Sequence, residues 1–152
     1  MSPSTVATTL HWVSFSFLST IYSSIYSRPL SEVKFEGYIY QNLEITKNNV
    51  AYIKLTDDIL KKYEVDSAAA GNMINDLKYV SEILVWVFFS EDTKMEVIKA
   101  KIRSCGPVIN EVAAKYGGGG HKFASGARLH DWLSADNLIK DLDEITSAYN
   151  TK

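Results

Sequence analysis

Hydrophobic positions along this chain change their spacing several times, and each change marks an element. In the first thirty residues Val6, Leu10, Val13, Phe17, Ile21 and Ile25 recur every three or four positions, which predicts an amphipathic helix or two. Pro29 ends that segment, and Ser31 is placed to cap a connecting helix from about Glu32 to Asn42. From Leu43 the pattern becomes a hairpin, Leu43 to Thr46 and Val50 to Leu55, across a Lys47-Asn48-Asn49 turn whose asparagines tolerate left-handed backbone. Ala51, Ile53 and Leu55 share one face of it. Thr56 and Asp66 are candidate caps for two short helices, the second with Ala70, Met73, Ile74 and Leu77 at helical spacing.

Ile83 to Phe89 is continuously apolar and rich in β-formers, as a central strand covered on both faces should be. The next strand alternates, with Ile98, Ala100 and Ile102 on one face and Lys99, Lys101 and Arg103 on the other, ending at Arg103-Ser104. Gly106 and Pro107 open a helix with Val108, Val112 and Tyr116 as its buried stripe, and Gly117 follows its last residue. A short small-residue helix is expected near His121, then a strand around Ala127 to Leu129, then a final helix capped by Ser134 with Leu138, Leu142 and Ile145 inward. The sum is an α/β (α+β) fold, a mixed sheet of about five strands flanked by helices. Residues 1–42 form a helical N-terminal segment and linker, and 43–152 the main domain.

Composition adjusts this picture in three places. At 152 residues, 46% hydrophobic and 22% charged, the chain suits one globular domain, and a formal net charge of -2 gives no global field for polyanions. An anionic partner must therefore be held by a local basic cluster. The N-terminal segment carries no Lys or Arg before Arg28 and is interrupted by His11, Ser14, Ser16, Ser19 and Thr20, so it reads as neither a secretory signal nor a membrane span. Its apolar face is expected to lie against the domain body, a partner domain or a second copy of the chain in a homodimer. A single cysteine, Cys105, fits a reducing, cytoplasmic setting.

The stretch that asks for chemistry is Tyr116 to Gly126, Tyr-Gly-Gly-Gly-Gly-His-Lys-Phe-Ala-Ser-Gly. Four glycines lose the most backbone entropy on folding, so they are either a flexible loop or a place where backbone N–H groups approach an anion. The helix end explains Gly117; Gly118, Gly119 and Gly120 favour the anion cradle. If neighbouring strands bring Arg103-Ser104 to this turn, a guanidinium, hydroxyls of Ser104 and Ser125, backbone amides and the His121 imidazole converge as phosphate ligands. Lys99, Lys101, Lys115, Lys122 and Arg128 flank the region in sequence, and the plain alternative for them is a solvated face. The glycines fit neither a Walker loop nor a dinucleotide fingerprint, and three histidines with no paired carboxylates make no metal motif. A nucleophile built on Ser125 or Cys105 with His121 lacks any recognisable elbow.

Gly117-Gly118-Gly119-Gly120-His121, followed by Ala124-Ser125-Gly126 and preceded by the helix Val108 to Tyr116 and by Arg103-Ser104, resembles the DHH-associated domain of the DHH phosphoesterase superfamily. Within it the likeness is nearest to the bacterial group that degrades very short RNAs and dephosphorylates 3'-phosphoadenosine 5'-phosphate. It runs from about Tyr22 to the C-terminus, through Gln41-Asn42-Leu43-Glu44 of the linker. The resemblance implies a two-domain enzyme whose N-terminal DHH domain holds paired manganese ions while the C-terminal domain binds substrate. No Asp-His-His triplet occurs in this chain. The resemblance therefore implies a substrate-binding half with no cofactor of its own, inactive without the missing DHH domain, and binding a short oligonucleotide or nucleotide phosphate. By the same resemblance Arg103 and Ser104 bind substrate phosphate, the backbone of Gly117, Gly118, Gly119 and Gly120 and the His121 side chain meet the terminal nucleotide or the phosphate being cleaved, and Ser125 and Gly126 shape the loop. The alternative expectation is an RNA-binding accessory module like the C-terminal domain of alanyl-tRNA synthetases.

Overall fold

The computed structural model describes residues 27–151, and the helical pattern read near the N-terminus, with the self-association expected of it, lies outside the described residues. Helix α1 (Leu30–Asn42) leads into a hairpin of β1 (Glu44–Ile45) and β2 (Val50–Leu55). Helices α2 (Asp57–Lys62) and α3 (Ser67–Asn72) and a 3-10 turn over Met73–Tyr79 carry the chain to β3 (Val85–Asp92). Then come β4 (Val97–Ser104), α4 (Asn110–Lys115), β5 (Gly119–His121), β6 (Ala124–Leu129) and the long α5 (Trp132–Asn150). The strands form one mixed sheet in the order β1-β2-β3-β4-β6-β5, with β2 and β3 parallel and the other pairs antiparallel. A parallel pair cannot be joined by a tight turn, and α2, α3 and the 3-10 segment supply the crossover.

Period-two alternation sends the strands' apolar residues to two separate clusters. One face buries Val85, Val87, Phe89, Ile98, Ala100, Ile102, Ala127 and Leu129 against Val112 and Ala113 of α4 and Leu138 and Leu142 of α5. The other buries Ala51, Ile53, Leu55, Trp86 and Phe88 beneath Phe35 and Ile39 of α1, Leu60, Ala70 and the 3-10 residues Ile74 and Leu77. The Trp86 indole N–H donates to the Ile74 carbonyl, which satisfies the one polar atom that ring buries. Asn49 takes a φ of 68° in the β1–β2 turn, and Thr46 and Asn48 donate to the Asp143 carboxylate, tying that turn to α5. The second cluster stops at β4: no apolar residue of β4, β6 or β5 belongs to it. No helix among the described residues is long and apolar enough to cross a membrane.

The fold class, the β1–β2 hairpin and the inward faces of β2, β4 and α5 follow the sequence pattern. Several local expectations need correction. No small-residue helix starts at His121; β5 forms instead and adds a sixth strand, because its backbone pairs with β6. The last helix is capped by Asp131, whose side chain accepts from the Ser134 N–H, and not by Ser134. Helix α4 is shorter than its apolar spacing suggested and leaves Val108 exposed. Helix α1 begins at Leu30 behind Pro29 with no side-chain cap, and Thr56 occupies a cap position without bonding, since Glu91 accepts from the Asp57 N–H. Asp66 does cap α3, accepting from the Ala69 N–H at 2.7 Å.

The Asp131 carboxyl is held below its ordinary range first by the hydrogen bond from the Ser134 backbone N–H. A depressed carboxyl stabilises the fold at neutral pH and loses that contribution as pH falls through its folded-state value. Asp131→Ala should thus lower the melting temperature at neutral pH, with the gap to wild type closing on acidification, and Ser134→Ala should cost less. Thermal melts across an acid series check this.

Candidate nucleotide-phosphate site

Strand β4 turns Lys99, Lys101 and Arg103 to the face that carries α3 and the 3-10 segment, where Lys99 reaches Ser67, Lys101 packs on Gly71 and Arg103 reaches Asn75, while no apolar residue of β4 joins the cluster on that side. Register fixes what stands beside them, since directly paired residues share a face. Arg103 lies opposite Ala124 of β6, and Ala124 lies opposite His121 of β5, which makes one row across the sheet. A second row runs Lys101, Gly126, Gly119, and a third pairs Lys99 with Arg128. Arg103 and His121, which no periodicity could connect, thus share a row with only the small Ala124 between them.

The charges in these rows are mostly uncompensated. Lys99 is bound to Asp92 at 2.6 Å and to the Ser67 hydroxyl at 3.2 Å. Arg103 donates to the Ile102 carbonyl at 2.9 Å and toward Asn75 Oδ1 at 3.4 Å, with no carboxylate partner among the described residues. Lys101, Arg128 and His121 have no hydrogen-bond or ion-pair partner among the described residues. Burial, and then the charges of Arg103 and Lys99, push the Lys101 ammonium down from its usual pKa, and burial pushes the Arg103 guanidinium down. The part of the Lys101 shift that comes from Arg103 and Lys99 is repulsion between cations, which an anion placed among them would offset. A cleft of about 360 Å³ opens between these rows and the glycine run, lined by Lys99, Lys101, Gly117, Gly118, Gly126 and Arg128 among others.

Each glycine of the run has its own reason. Gly117 takes a φ of 69° and closes α4 with a paired bond pattern, its N–H to Ala114 and the Gly118 N–H to Ala113. A Cβ at Gly118 would stand 2.1 Å from the Gly126 carbonyl oxygen, and one at Gly120, whose φ is 140°, would stand 2.6 Å from the Ala124 carbonyl oxygen. Those two are required by close contact between β5 and β6. Gly119 alone meets nothing within 4 Å and has an ordinary φ. Its bareness has no internal cause, and it lies on the open face beside Gly126.

The serines sit elsewhere. Ser125 is buried and pairs with Ile102, which puts it on the opposite face, and its hydroxyl donates to the His121 carbonyl at 2.8 Å. Ser104 is also buried; its hydroxyl donates to the Pro107 carbonyl at 2.6 Å and accepts from the Gly106 N–H. Cys105 is exposed, with its thiol against the Ile83 and Leu84 carbonyls rather than against His121. The β5–β6 turn, Lys122-Phe123, is pinned to the β4–α4 connection by the Ser104 N–H to the Phe123 carbonyl and the Ile109 N–H to the Lys122 carbonyl. Phe123 is therefore a half-exposed ring on an anchored turn, a feature that a search for charged and glycine motifs passes over. Among the described residues no group of three or more His, Cys, Asp or Glu side chains is placed to hold a metal ion.

Comparison with known proteins gives a consistent result. The family described as DHHA1 domain matches residues 47–148. The bifunctional oligoribonuclease and PAP phosphatase NrnA of Bacillus subtilis (strain 168) is 37% identical over 127 residues, which cover 84% of this chain and 40% of that protein. A probable bifunctional oligoribonuclease and PAP phosphatase NrnA of Streptococcus mutans is 33% identical, covering 78% of this chain and 38% of that protein. The crystal structure of an exopolyphosphatase-related protein from Bacteroides fragilis superposes with a TM-score of 0.71 at 25% identity, covering 85% of this chain and 40% of that one. The chain thus spans about 40% of the length of the curated relatives it matches.

Two stability predictions follow from the geometry. Gly118→Ala should destabilise the fold by on the order of 2–3 kcal/mol, because the added methyl meets backbone that cannot yield, whereas Gly119→Ala should change it by less than about 0.5 kcal/mol; denaturant unfolding of the two variants checks this. Lys101→Met should raise the melting temperature at neutral pH. A depressed ammonium binds fewer protons in the fold than in the unfolded chain, so its penalty is full below the folded-state pKa and fades as pH rises through it. The advantage of the variant should therefore shrink in alkali.

Proposed function

The chain belongs to the DHHA1 domain family, and from that premise we propose that it is the substrate-binding half of a DHH-type phosphoesterase that acts on short RNA or a related nucleotide phosphate. The observation that carries the reading is the row that brings Arg103 and His121 to one face of the sheet with no carboxylate partner among the described residues, in a chain of net charge -2. Arg103 offers a planar fork to phosphate oxygens, and the His121 imidazole offers a donor in either protonation state. Gly119, bare for no internal reason, lets the ligand come close to the β5 backbone. Ser104 and Ser125 act in this reading as positioning residues, since the first fixes the strand end that carries Arg103 and the second fixes the carbonyl of His121. The exposed Phe123 ring provides a face for a nucleobase, as expected where a nucleotide rather than a bare phosphate is bound.

The names of the relatives, an oligoribonuclease and PAP phosphatase among them, support the substrate class. Two-metal hydrolysis requires ions that generate hydroxide and stabilise charge on the transferring phosphoryl group, and the described residues offer no ligand set for them. The reading therefore assigns manganese and bond cleavage to a DHH domain outside these residues, and assigns binding and orientation to this chain.

Calorimetry with a 5'-phosphorylated mononucleotide tests the assignment. Arg103→Ala should weaken binding by about 10- to 100-fold, the worth of a charge-assisted hydrogen bond, and His121→Ala by less. Unchanged affinity in both variants rejects the site. Manganese-dependent hydrolysis by the purified chain rejects the division of labour.

A further inference from the structure

Arg103 is held by protein groups at only part of its fork. Its direct partner across the β3–β4 ladder is Trp86, and paired residues share a face, so the guanidinium and the indole both turn toward the 3-10 segment Met73–Tyr79. They meet it at consecutive residues. The Trp86 indole N–H donates to the Ile74 carbonyl at 2.5 Å, and Arg103 Nε–H donates to Asn75 Oδ1 at 3.4 Å. With about three residues per turn, Ile74 and Leu77 fall on one line of the segment, and both are buried in the cluster against the sheet. Asn75 is thereby left exposed beside them, within reach of β4.

The choice of a neutral acceptor is informative. On the same face of β4, Lys99 is bound to the carboxylate of Asp92 at 2.6 Å, whereas Arg103 is met by a side-chain amide and the Ile102 carbonyl. An amide oxygen fixes a guanidinium without cancelling its charge. Those two bonds use Nε and Nη1, so the Nη2 amino group has no partner among the described residues. We infer that Asn75 is the positioning residue of Arg103, fixing the guanidinium through Nε and leaving its charge and its Nη2 side for the ligand phosphate. The inference rests on the proposed function and deepens it by naming what orients the principal contact.

A double-mutant cycle on the full chain, read by calorimetry with a 5'-phosphorylated mononucleotide, tests it. Asn75→Ala should weaken binding by about threefold, because the fork is released, and should cost nothing further in the Arg103→Ala background. Asn75→Asp keeps the size and the acceptor but sets a negative charge beside Arg103. Its affinity should fall by about tenfold or more while its melting temperature stays at or above that of wild type, a pairing that a purely structural role does not produce. If Asn75→Ala costs the same with and without Arg103, or if Asn75→Asp binds as tightly as wild type, the positioning role is overturned while the Arg103 site stands. If Arg103→Ala itself leaves affinity unchanged, the proposed function fails. Thermal melts verify that each variant folds, and should Asn75→Asp melt below wild type, the cycle with Asn75→Ala decides.

Discussion

Strand β4 must satisfy two environments at once, and its strict alternation is the constraint on which the rest depends. Ile98, Ala100 and Ile102 point into the cluster under α4 and α5, so Lys99, Lys101 and Arg103 are forced to the opposite face. A one-residue slip of register would bury the cations and expose the core, so pairing with β3 and β6 is strongly fixed. The same pairing brings His121 into the row of Arg103 and sets Gly126 and Gly119 beside Lys101. Core and candidate site are therefore two readings of a single hydrogen-bonded ladder.

A cluster of cations without counter-ions costs stability, and the Lys101 ammonium is where that cost is most visible, lowered by burial and by its cationic neighbours. Most lysines on a sheet face are solvated or paired, and Lys99 follows that rule through Asp92. Among the described residues Lys101 and Arg128 have no such partner. A protein with an excess of acidic residues has carboxylates to spare, so leaving these rows unpaired is consistent with keeping the positions open for an anionic ligand.

The glycine run illustrates how one composition can serve several causes. Gly117 ends a helix, Gly118 and Gly120 permit β5 to lie close against β6, and only Gly119 is left for a ligand to claim. An anion cradle made of three free glycines is thus reduced to one free position plus an edge strand. The hydroxyls of Ser104 and Ser125, which looked like phosphate donors beside Arg103 and His121, are engaged with backbone carbonyls and serve the geometry instead.

The sequence by itself determined whatever depends on local periodicity and short-range hydrogen bonding. The alternation of β4, the shared face of Ala51, Ile53 and Leu55, the Asp66 cap and the inward stripe of Leu138 and Leu142 could all be read because their causes lie within a few residues. The candidate site was legible as a list, since Arg, His and glycine in that order have few structural uses together. Only the tertiary structure decided how the list is arranged. That β6 lies beside β4 and that Ser125 faces away from Arg103 are settled by backbone bonds between segments more than twenty residues apart, and β5 is a strand rather than a helix because it closes a tight hairpin onto β6. Periodicity tells which residues share a face of one strand, but not which strand will lie beside it. A glycine, having no side chain, states only that something comes close; the fold identifies what does.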